Sequence, residues 1–321
     1  MRQKKLQALC DSLTSPTYFL HSRIHKMKTL DLYIKRDDEL GCTINGSKLR
    51  KYASIIPFLR GLKNPIVALV GCPYSNHILS FVQILKQEGI PYCLFLTKPK
   101  EKKTIGNFFF LSLLTAGEEI FWVEKVPHPL HFSWTQSWEE KLQKKFLWIP
   151  LGGCIPEGLP GALTLPLDIL CNEKTEKKTF PQIFIDAGTG LTAAALLLGM
   201  AYLQKETMIH VVLIAGKEIE FISQLFFFRE HLSELLQEEV PVPSQYKILL
   251  PSTAKSFGAY NQTVLNTIAR IAKKEGIFLD PLYTAKLFLT TEQNAQPNSL
   301  WIHSGGTLSL AGFQSKNFFH S

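Results

Sequence analysis

The chain has 321 residues, of which 45% are hydrophobic and 19% charged, and its formal net charge is +8 at pH 7. This composition predicts a globular protein with a large core and excludes an intrinsically disordered chain. The positive charge suggests nucleic acid as a partner, but the lysines scatter among loops without interleaved aromatic residues, which favours solvated loop charge. The longest apolar stretch, 191–203, is shorter than the roughly 20 residues of a membrane-spanning helix.

The N-terminus is basic, but no signal-peptide core follows it. Six cysteines show neither a CxxC pair nor metal-ligand spacing, so we expect reduced thiols and no bound metal. Together these features predict a cytoplasmic protein with no membrane and no nucleic-acid partner.

Short apolar runs alternate with segments of helical periodicity along most of the chain. Strands are predicted at 65–71, 91–97, 119–123, 146–150, 182–186, 209–215 and 299–303. Helices are predicted at 76–87, 107–114, 135–145, 161–171, 191–204 and 262–274. Continuously apolar strands separated by helices are typical of parallel sheets covered on both faces, so we predict a two-lobed α/β fold. Ligands of such folds bind beyond the carboxyl ends of the strands.

The first candidate site is the segment 45–51 (NGSKLRK), which places Lys48 in the first turn of a predicted helix. Ser47 is a plausible N-cap, and Pro57 is expected to end or kink the helix. A lysine amine at such a turn could lie beside a small anionic cofactor, although a basic surface helix would show the same pattern.

Two further turns follow predicted strands and open helices. In the turn 71–77 (GCPYSNH), free N–H groups with Ser75 and Asn76 could hold a carboxylate, or Ser75 could be an ordinary cap. The turn 186–192 (DAGTGLT) could hold a phosphate, or be a plain glycine-rich turn. Because it lacks a P-loop lysine and dinucleotide-type spacing, a single phosphate is favoured. The segments 149–153, 279–286 and 303–306 are further turns of interest.

In this order, the segments resemble the pyridoxal-phosphate enzymes grouped as 1-aminocyclopropane-1-carboxylate deaminases and D-cysteine desulfhydrases. The resemblance begins at the predicted entry strand 34–38 (IKRDD) and covers about residues 32–313. It implies a fold like that of tryptophan synthase β, with open, mostly parallel sheets flanked by helices. A small α/β lobe, 55–159, would be inserted in a large cofactor-binding lobe formed by 1–54 and 160–321. The resemblance also implies a homodimer.

The resemblance implies a role for each matching residue. Lys48 matches the Schiff-base lysine and would act as general base, and Asn76 matches the asparagine at the cofactor's 3′-oxygen. Ser304 would face the pyridine nitrogen, where a hydroxyl in place of a carboxylate favours prompt elimination. For the substrate, the implied residues are Ser75, Asn76, His77 and Thr284. Ser75 and Tyr283 are further implied catalytic residues, and Tyr283 also lies near the cofactor ring. The implied phosphate-binding residues are Gly188, Thr189, Gly190, Leu191 and Thr192.

The implied reaction is the conversion of D-cysteine to pyruvate, hydrogen sulfide and ammonia by a carbon–sulfur lyase. Tyr283 and Thr284 favour it, because the cyclopropane-opening branch carries Tyr-Glu there. Ser304 also favours it, because it is closer to the threonine of the desulfhydrase branch than to the leucine of the deaminase. Alternatives are 1-aminocyclopropane-1-carboxylate or D-serine deamination, a cofactor-binding protein without turnover, and a basic RNA-associated domain.

The sequence departs from the family's pattern at three positions. Ser47 stands where an asparagine is usual, Tyr74 where a glutamine is common, and Leu191 where a glycine is usual, so Leu191 needs a negative φ. The basic residues that follow Lys48, Arg50 and Lys51, are expected to face solvent or to lie beside the phosphate.

Overall fold

The computed structural model describes residues 1–41, 46–99, 103–127 and 129–313. Its helices are α1 (Arg2–Leu13), α2 (Lys48–Gly61), α3 (Asn76–Gln87), α4 (Asn107–Leu114), α5 (Phe132–Leu142), α6 (Leu159–Ala162), α7 (Thr164–Thr175), α8 (Leu191–Tyr202), α9 (Glu218–Leu236), α10 (Gln262–Glu275) and α11 (Thr284–Asn294). Its strands are β1 (Ile24–Lys26), β2 (Leu32–Lys35), β3 (Val67–Gly71), β4 (Tyr92–Thr97), β5 (Ile120–Val123), β6 (Leu147–Ile149), β7 (Gln182–Ala187), β8 (Met208–Leu213), β9 (Tyr246–Leu249) and β10 (Ser299–Ile302).

The strands form two sheets. The larger has the order β1-β2-β10-β7-β8-β9 and is parallel except for β1, and the smaller has the order β5-β4-β3-β6 and is wholly parallel. All five residues of β3 are buried, as expected for a strand covered on both faces. The predicted α/β fold class is therefore confirmed. The small sheet comes from residues within the predicted small lobe, while the lobe boundaries stay a prediction.

Two prolines, Pro57 and Pro166, lie within helices. Helix α2 does not end at Pro57 but continues to Gly61. Proline cannot donate to the carbonyl four residues earlier, and here the Ala53 carbonyl accepts instead from the backbone N–H of Ser15 at 2.7 Å. Pro166 lies in the first turn of α7, where a missing N–H is tolerated. The helix predicted at 161–171 is thus two helices, α6 and α7.

The sequence patterns missed several elements: α1, α9, α11, β1 and β9. Helix α9 carries apolar residues on its exposed side as well as its buried one, including Ile219, Phe226 and Phe227, which obscures its periodicity. No helix within the described ranges is long and apolar enough to cross a membrane.

Candidate active site

The Lys48 turn (residues 46–48) is held against the turn that follows β10. Gly46 has a φ of +54°, and a Cβ there would lie 2.4 Å from the carbonyl oxygen of Ser304. That same oxygen accepts the backbone N–H of Ser47 at 3.0 Å. Ser47 stands at the predicted N-cap position, but it takes helical dihedral angles and its side chain makes no cap hydrogen bond. Asn45 lies outside the described residues. Lys48 therefore starts its helix beside Ser304.

The Lys48 amine is buried with two carboxyl groups near it. Burial lowers the pKa of its amine, while the charges of Asp186 and Asp280 oppose that shift. A lowered pKa increases the fraction of neutral amine, which is the form that acts as a nucleophile or base.

The sequence analysis assigned no role to the side chain of Asp186, which lies at the site. It is the second-last residue of β7, which ends at Ala187, and the Ser304 side chain lies beside its carboxyl group. Its Oδ1 atom is buried without a hydrogen-bond partner among the described residues, and burial raises its pKa. The expectation of a hydroxyl in place of a carboxylate is therefore incomplete, because a carboxyl group lies directly behind the hydroxyl.

The turn 71–77 is capped by Ser75, as its alternative interpretation predicted. The Ser75 hydroxyl oxygen accepts the N–H groups of His77 at 3.2 Å and Ile78 at 3.4 Å. The hydroxyl hydrogen remains available to donate. Asn76 is the first residue of α3, and its Nδ2 would lie 2.7 Å from a Cβ at Gly306. Asn76 thus reaches across to the turn that carries Ser304.

The His77 side chain is buried. Its Nδ1 is 2.8 Å from the hydroxyl of Tyr52, its ring lies against Gly153, and its Nε2 is buried without a partner among the described residues. Burial first, and then the charges of Lys51 and Lys48, lower its pKa well below the ordinary value, so the imidazole is neutral. Its predicted contact with substrate stays a prediction.

The Gly188 turn (residues 188–192) opens helix α8. Gly190 is the residue that takes a positive φ, +89°, whereas Leu191 begins the helix and is buried, as its departure from glycine requires. The first N–H groups of a helix lack intrahelical acceptors and favour an anion. Thr189 packs on Gly152, where a Cβ would lie 2.4 Å from the Thr189 Oγ1. The space beside the turn therefore depends on that glycine.

Lys51 brings a second buried cation to this turn. Its Nζ donates to the carbonyl oxygen of Gly152 at 2.5 Å, and Gly152 is the residue on which Thr189 packs. Burial, followed by the charge of Lys48, lowers the pKa of Lys51 to about 8. The spacing of three residues after Lys48 places both amines on one face of α2, and that signal could have identified Lys51.

Arg50 is not the solvent-facing or phosphate-adjacent residue that the sequence analysis predicted. It is fully buried and donates to Asp37 and Asp168, with two bonds of 2.7 Å to Asp37 and one of 2.8 Å to Asp168. Lys35 joins the same network through a 2.5 Å bond to Asp168. Arg50 anchors the helix that carries Lys48.

Tyr283 and Thr284 have different surroundings although they are neighbours. The Tyr283 ring lies against Gly188, where a Cβ would be 3.1 Å from its Cε1 atom, and burial and nearby carboxylates raise its pKa, so the phenol stays protonated. Thr284 is fully buried and its hydroxyl is bonded to Asp280 at 2.8 Å. Thr284 thus helps to hold the Asp280 turn, and its predicted contact with substrate stays a prediction.

A cavity of about 540 Å³ opens beside this region and is lined by Tyr74, Asn107, Tyr260 and Leu282 among others. Cys10, Cys72, Cys93, Cys154 and Cys171 are free thiols, and Cys42 lies outside the described residues. In the part of the chain that the structure describes, no cluster of His, Cys, Asp or Glu could hold a metal ion.

These features fit pyridoxal phosphate. The site offers an amine of lowered pKa, a glycine-rich helix start with a buried lysine beside it, and a carboxyl oxygen of Asp186 that has no hydrogen-bond partner among the described residues. The fold is that of the pyridoxal-phosphate enzymes of the tryptophan synthase β type. One solved example is a pyridoxal 5′-phosphate-dependent aspartate racemase, with a TM-score of 0.60 at 14% identity over 94% of each chain.

Comparison with known proteins narrows this class. A solved structure described as an ACC deaminase homologue superposes with a TM-score of 0.84 at 24% identity, covering 98% of both chains. A Pyrococcus furiosus protein named "Putative 1-aminocyclopropane-1-carboxylate deaminase" is 28% identical over 293 residues, 88% of this chain and 87% of that protein. The D-cysteine desulfhydrase of Serratia proteamaculans is 24% identical over 91% of each chain. No family model matches the chain. The resemblance to the family of 1-aminocyclopropane-1-carboxylate deaminases and D-cysteine desulfhydrases is thus confirmed.

Proposed function

We propose that the protein is a pyridoxal-phosphate-dependent lyase of small amino acids, acting as a D-cysteine desulfhydrase. It would convert D-cysteine and water to pyruvate, hydrogen sulfide and ammonia. The observation that carries the proposal is the placement of Lys48, whose buried amine of lowered pKa lies beside the Ser304 turn and near Asp186. We also propose a homodimer in the cytoplasm, which the family resemblance supports.

The Gly188 turn is proposed to hold the cofactor phosphate. Its residues Gly188, Thr189, Gly190, Leu191 and Thr192 would supply N–H groups and hydroxyls, and Lys51 would supply charge from the other side. Asn76 would donate to the 3′-oxygen, and Ser304 would contact the pyridine nitrogen. The bound cofactor would act as a sink for the electrons released when a bond to the substrate's α-carbon breaks.

The chain's own groups account for the proton transfers. Lys48, once its amine is free and neutral, would accept the α-proton of the substrate, and its lowered pKa supports that role. The Ser75 hydroxyl and the N–H groups at the start of α3 would hold the substrate carboxylate. Tyr283, as a protonated phenol against Gly188, can donate a hydrogen bond beside the ring.

D-cysteine is favoured over the cyclopropane substrate by the Tyr283 segment. Thr284 has no carboxylate, and its hydroxyl is bonded to Asp280. The glutamate that the cyclopropane-opening branch carries at this position is therefore missing here. The second candidate is 1-aminocyclopropane-1-carboxylate deaminase, which the Pyrococcus furiosus relative supports by name. D-serine deamination and cofactor binding without turnover remain further alternatives.

A spectroscopic and product assay tests the proposal. The purified protein is titrated with pyridoxal phosphate and compared with Lys48→Ala and with Lys247→Ala, an exposed lysine on β9. We expect a visible absorption band in the wild type and the control that Lys48→Ala lacks. Pyruvate and sulfide from D-cysteine, without 2-ketobutyrate from the cyclopropane substrate, support the desulfhydrase. The reverse product pattern supports the deaminase, a band without turnover supports cofactor binding alone, and no band in any of the proteins refutes all three.

A further inference from the structure

Asn107 is a buried polar residue outside the predicted site that contacts a residue within it. It is the first residue of α4 and only 2% exposed. Its Nδ2 donates to the backbone carbonyl oxygen of Tyr74 at 3.0 Å and to the Oδ1 of Asn76 at 2.6 Å. We propose that Asn107 is a positioning residue that fixes the amide orientation of Asn76, so that Asn76 presents its N–H donor to the cofactor.

The orientation of both amides follows from hydrogen-bond chemistry. A backbone carbonyl oxygen can only accept, so the Asn107 atom that faces Tyr74 must be the nitrogen. That nitrogen can only donate, so the Asn76 atom it contacts must be the oxygen. The nitrogen of Asn76 therefore points away from Asn107. The Tyr74 carbonyl oxygen therefore fixes which amide atom is the nitrogen and which the oxygen in both Asn107 and Asn76.

The freed nitrogen points toward the turn that carries Ser304. A Cβ at Gly306 would lie 2.7 Å from the Asn76 Nδ2, and Gly306 has a φ of +87°. Asn107 itself is locked in place, because the preceding Gly106 packs against the backbone of Gly312 with a Cβ distance of 3.0 Å. The contact between Gly106 and Gly312 thus helps to set the position of Asn107, and through it that of the Asn76 amide.

The chemical consequence rests on the proposed function. An N–H that donates to an oxygen stabilises its charged form, whereas an amide oxygen in that place would repel it. The charged 3′-oxygen belongs to the form of the lysine-bound cofactor that absorbs visible light, and its protonated form absorbs in the near ultraviolet. Asn107 would therefore control the ratio of the two bands without touching the cofactor.

The test compares spectra of the cofactor-loaded protein and five variants at one pH. Asn107→Leu and Asn76→Ala should each reduce the visible-to-near-ultraviolet band ratio severalfold, and the double variant should be no worse than Asn76→Ala. Asn107→Asp should reduce the ratio further than Asn107→Leu, because a carboxylate accepts from Asn76 and turns its oxygen to the cofactor. Ser112→Ala, an exposed position on α4, is the control.

The outcomes separate the two proposals. A wild-type band whose ratio Asn107→Leu leaves unchanged overturns the role of Asn107 and leaves the proposed function standing. Reductions that add in the double variant also overturn it, because they show that Asn107 does not act through Asn76. Absence of any band in the wild type refutes the proposed function itself.

Discussion

Arg50 and Asp37 form a bidentate ion pair with both side chains fully buried. Two bonds of 2.7 Å join the guanidinium to the two carboxylate oxygens, and Asp168 accepts a third bond from the same group at 2.8 Å. Arg50 lies two residues after Lys48 on α2, whereas Asp37 follows β2. The network therefore ties the helix that carries the candidate catalytic amine to the larger sheet.

Loss of Arg50 should destabilise the fold strongly. Arg50→Met leaves two buried carboxylates without their main partner, which costs about 3–5 kcal/mol. We expect urea denaturation to show that loss of the free energy of unfolding. The control is Arg23→Met, whose pair with Glu39 is exposed and should contribute less than about 1 kcal/mol. Equal effects of the two substitutions would contradict this account of the network.

A glycine determines how closely α2 and α6 approach. A Cβ at Gly161 would lie 1.9 Å from the carbonyl oxygen of Arg50, a backbone atom that cannot move alone. Gly161→Ala should therefore cost about 3 kcal/mol or more by overpacking. Gly61→Ala, at the end of α2 with open space around it, should be neutral or stabilising by up to about 1 kcal/mol. Thermal unfolding of the two alanine variants measures the difference.

Lys51 should make cofactor binding depend on pH. Its pKa is lowered to about 8 by burial, so its charge is lost as the pH rises through that value, and the affinity for the phosphate group should fall with it. Lys51→Met should weaken binding about tenfold or more, a loss of ~1.4 kcal/mol or more, and remove the pH dependence near 8. Titrations of Lys51→Met and Lys247→Met with pyridoxal phosphate between pH 7 and 9 test this, and equal affinities would argue against a phosphate contact.

Asp186 should lower the stability of the cofactor-free protein at neutral pH. Burial raises its pKa above the ordinary value of 3.8, so the folded state holds this proton more tightly than the unfolded state. The resulting stability is present below the ordinary value and is lost as the pH rises through the raised one. Asp186→Asn should therefore be more stable than the wild type at pH 7, with the gain shrinking toward pH 4. Urea denaturation at both pH values checks this, with Asp11→Asn on the exposed face of α1 as control.

The sequence predicted some elements to the residue and missed others for physical reasons. Helices α3 and α4 have the predicted bounds, because apolar periodicity and turn residues mark their ends. Lys48, Ser75 and the Gly188 turn stand at helix starts, which local patterns can show. The Asp186–Ser304 and Lys51–Gly152 contacts join distant segments, so local spacing could not show which residues these side chains contact. The Thr284–Asp280 bond spans only four residues, but the sequence analysis did not predict it.

The hydrogen bond from Ser15 to the Ala53 carbonyl gives the N-terminal segment a part in completing α2. Pro57 leaves that carbonyl without its helical donor. Because Ser15 and Ala53 are both buried, water cannot take the donor's place. The N-terminal segment therefore stabilises the helix that carries Lys48. A protein lacking residues 1–15 would have an unsatisfied Ala53 carbonyl inside its core, one helical turn before Pro57 and within two turns of Lys48.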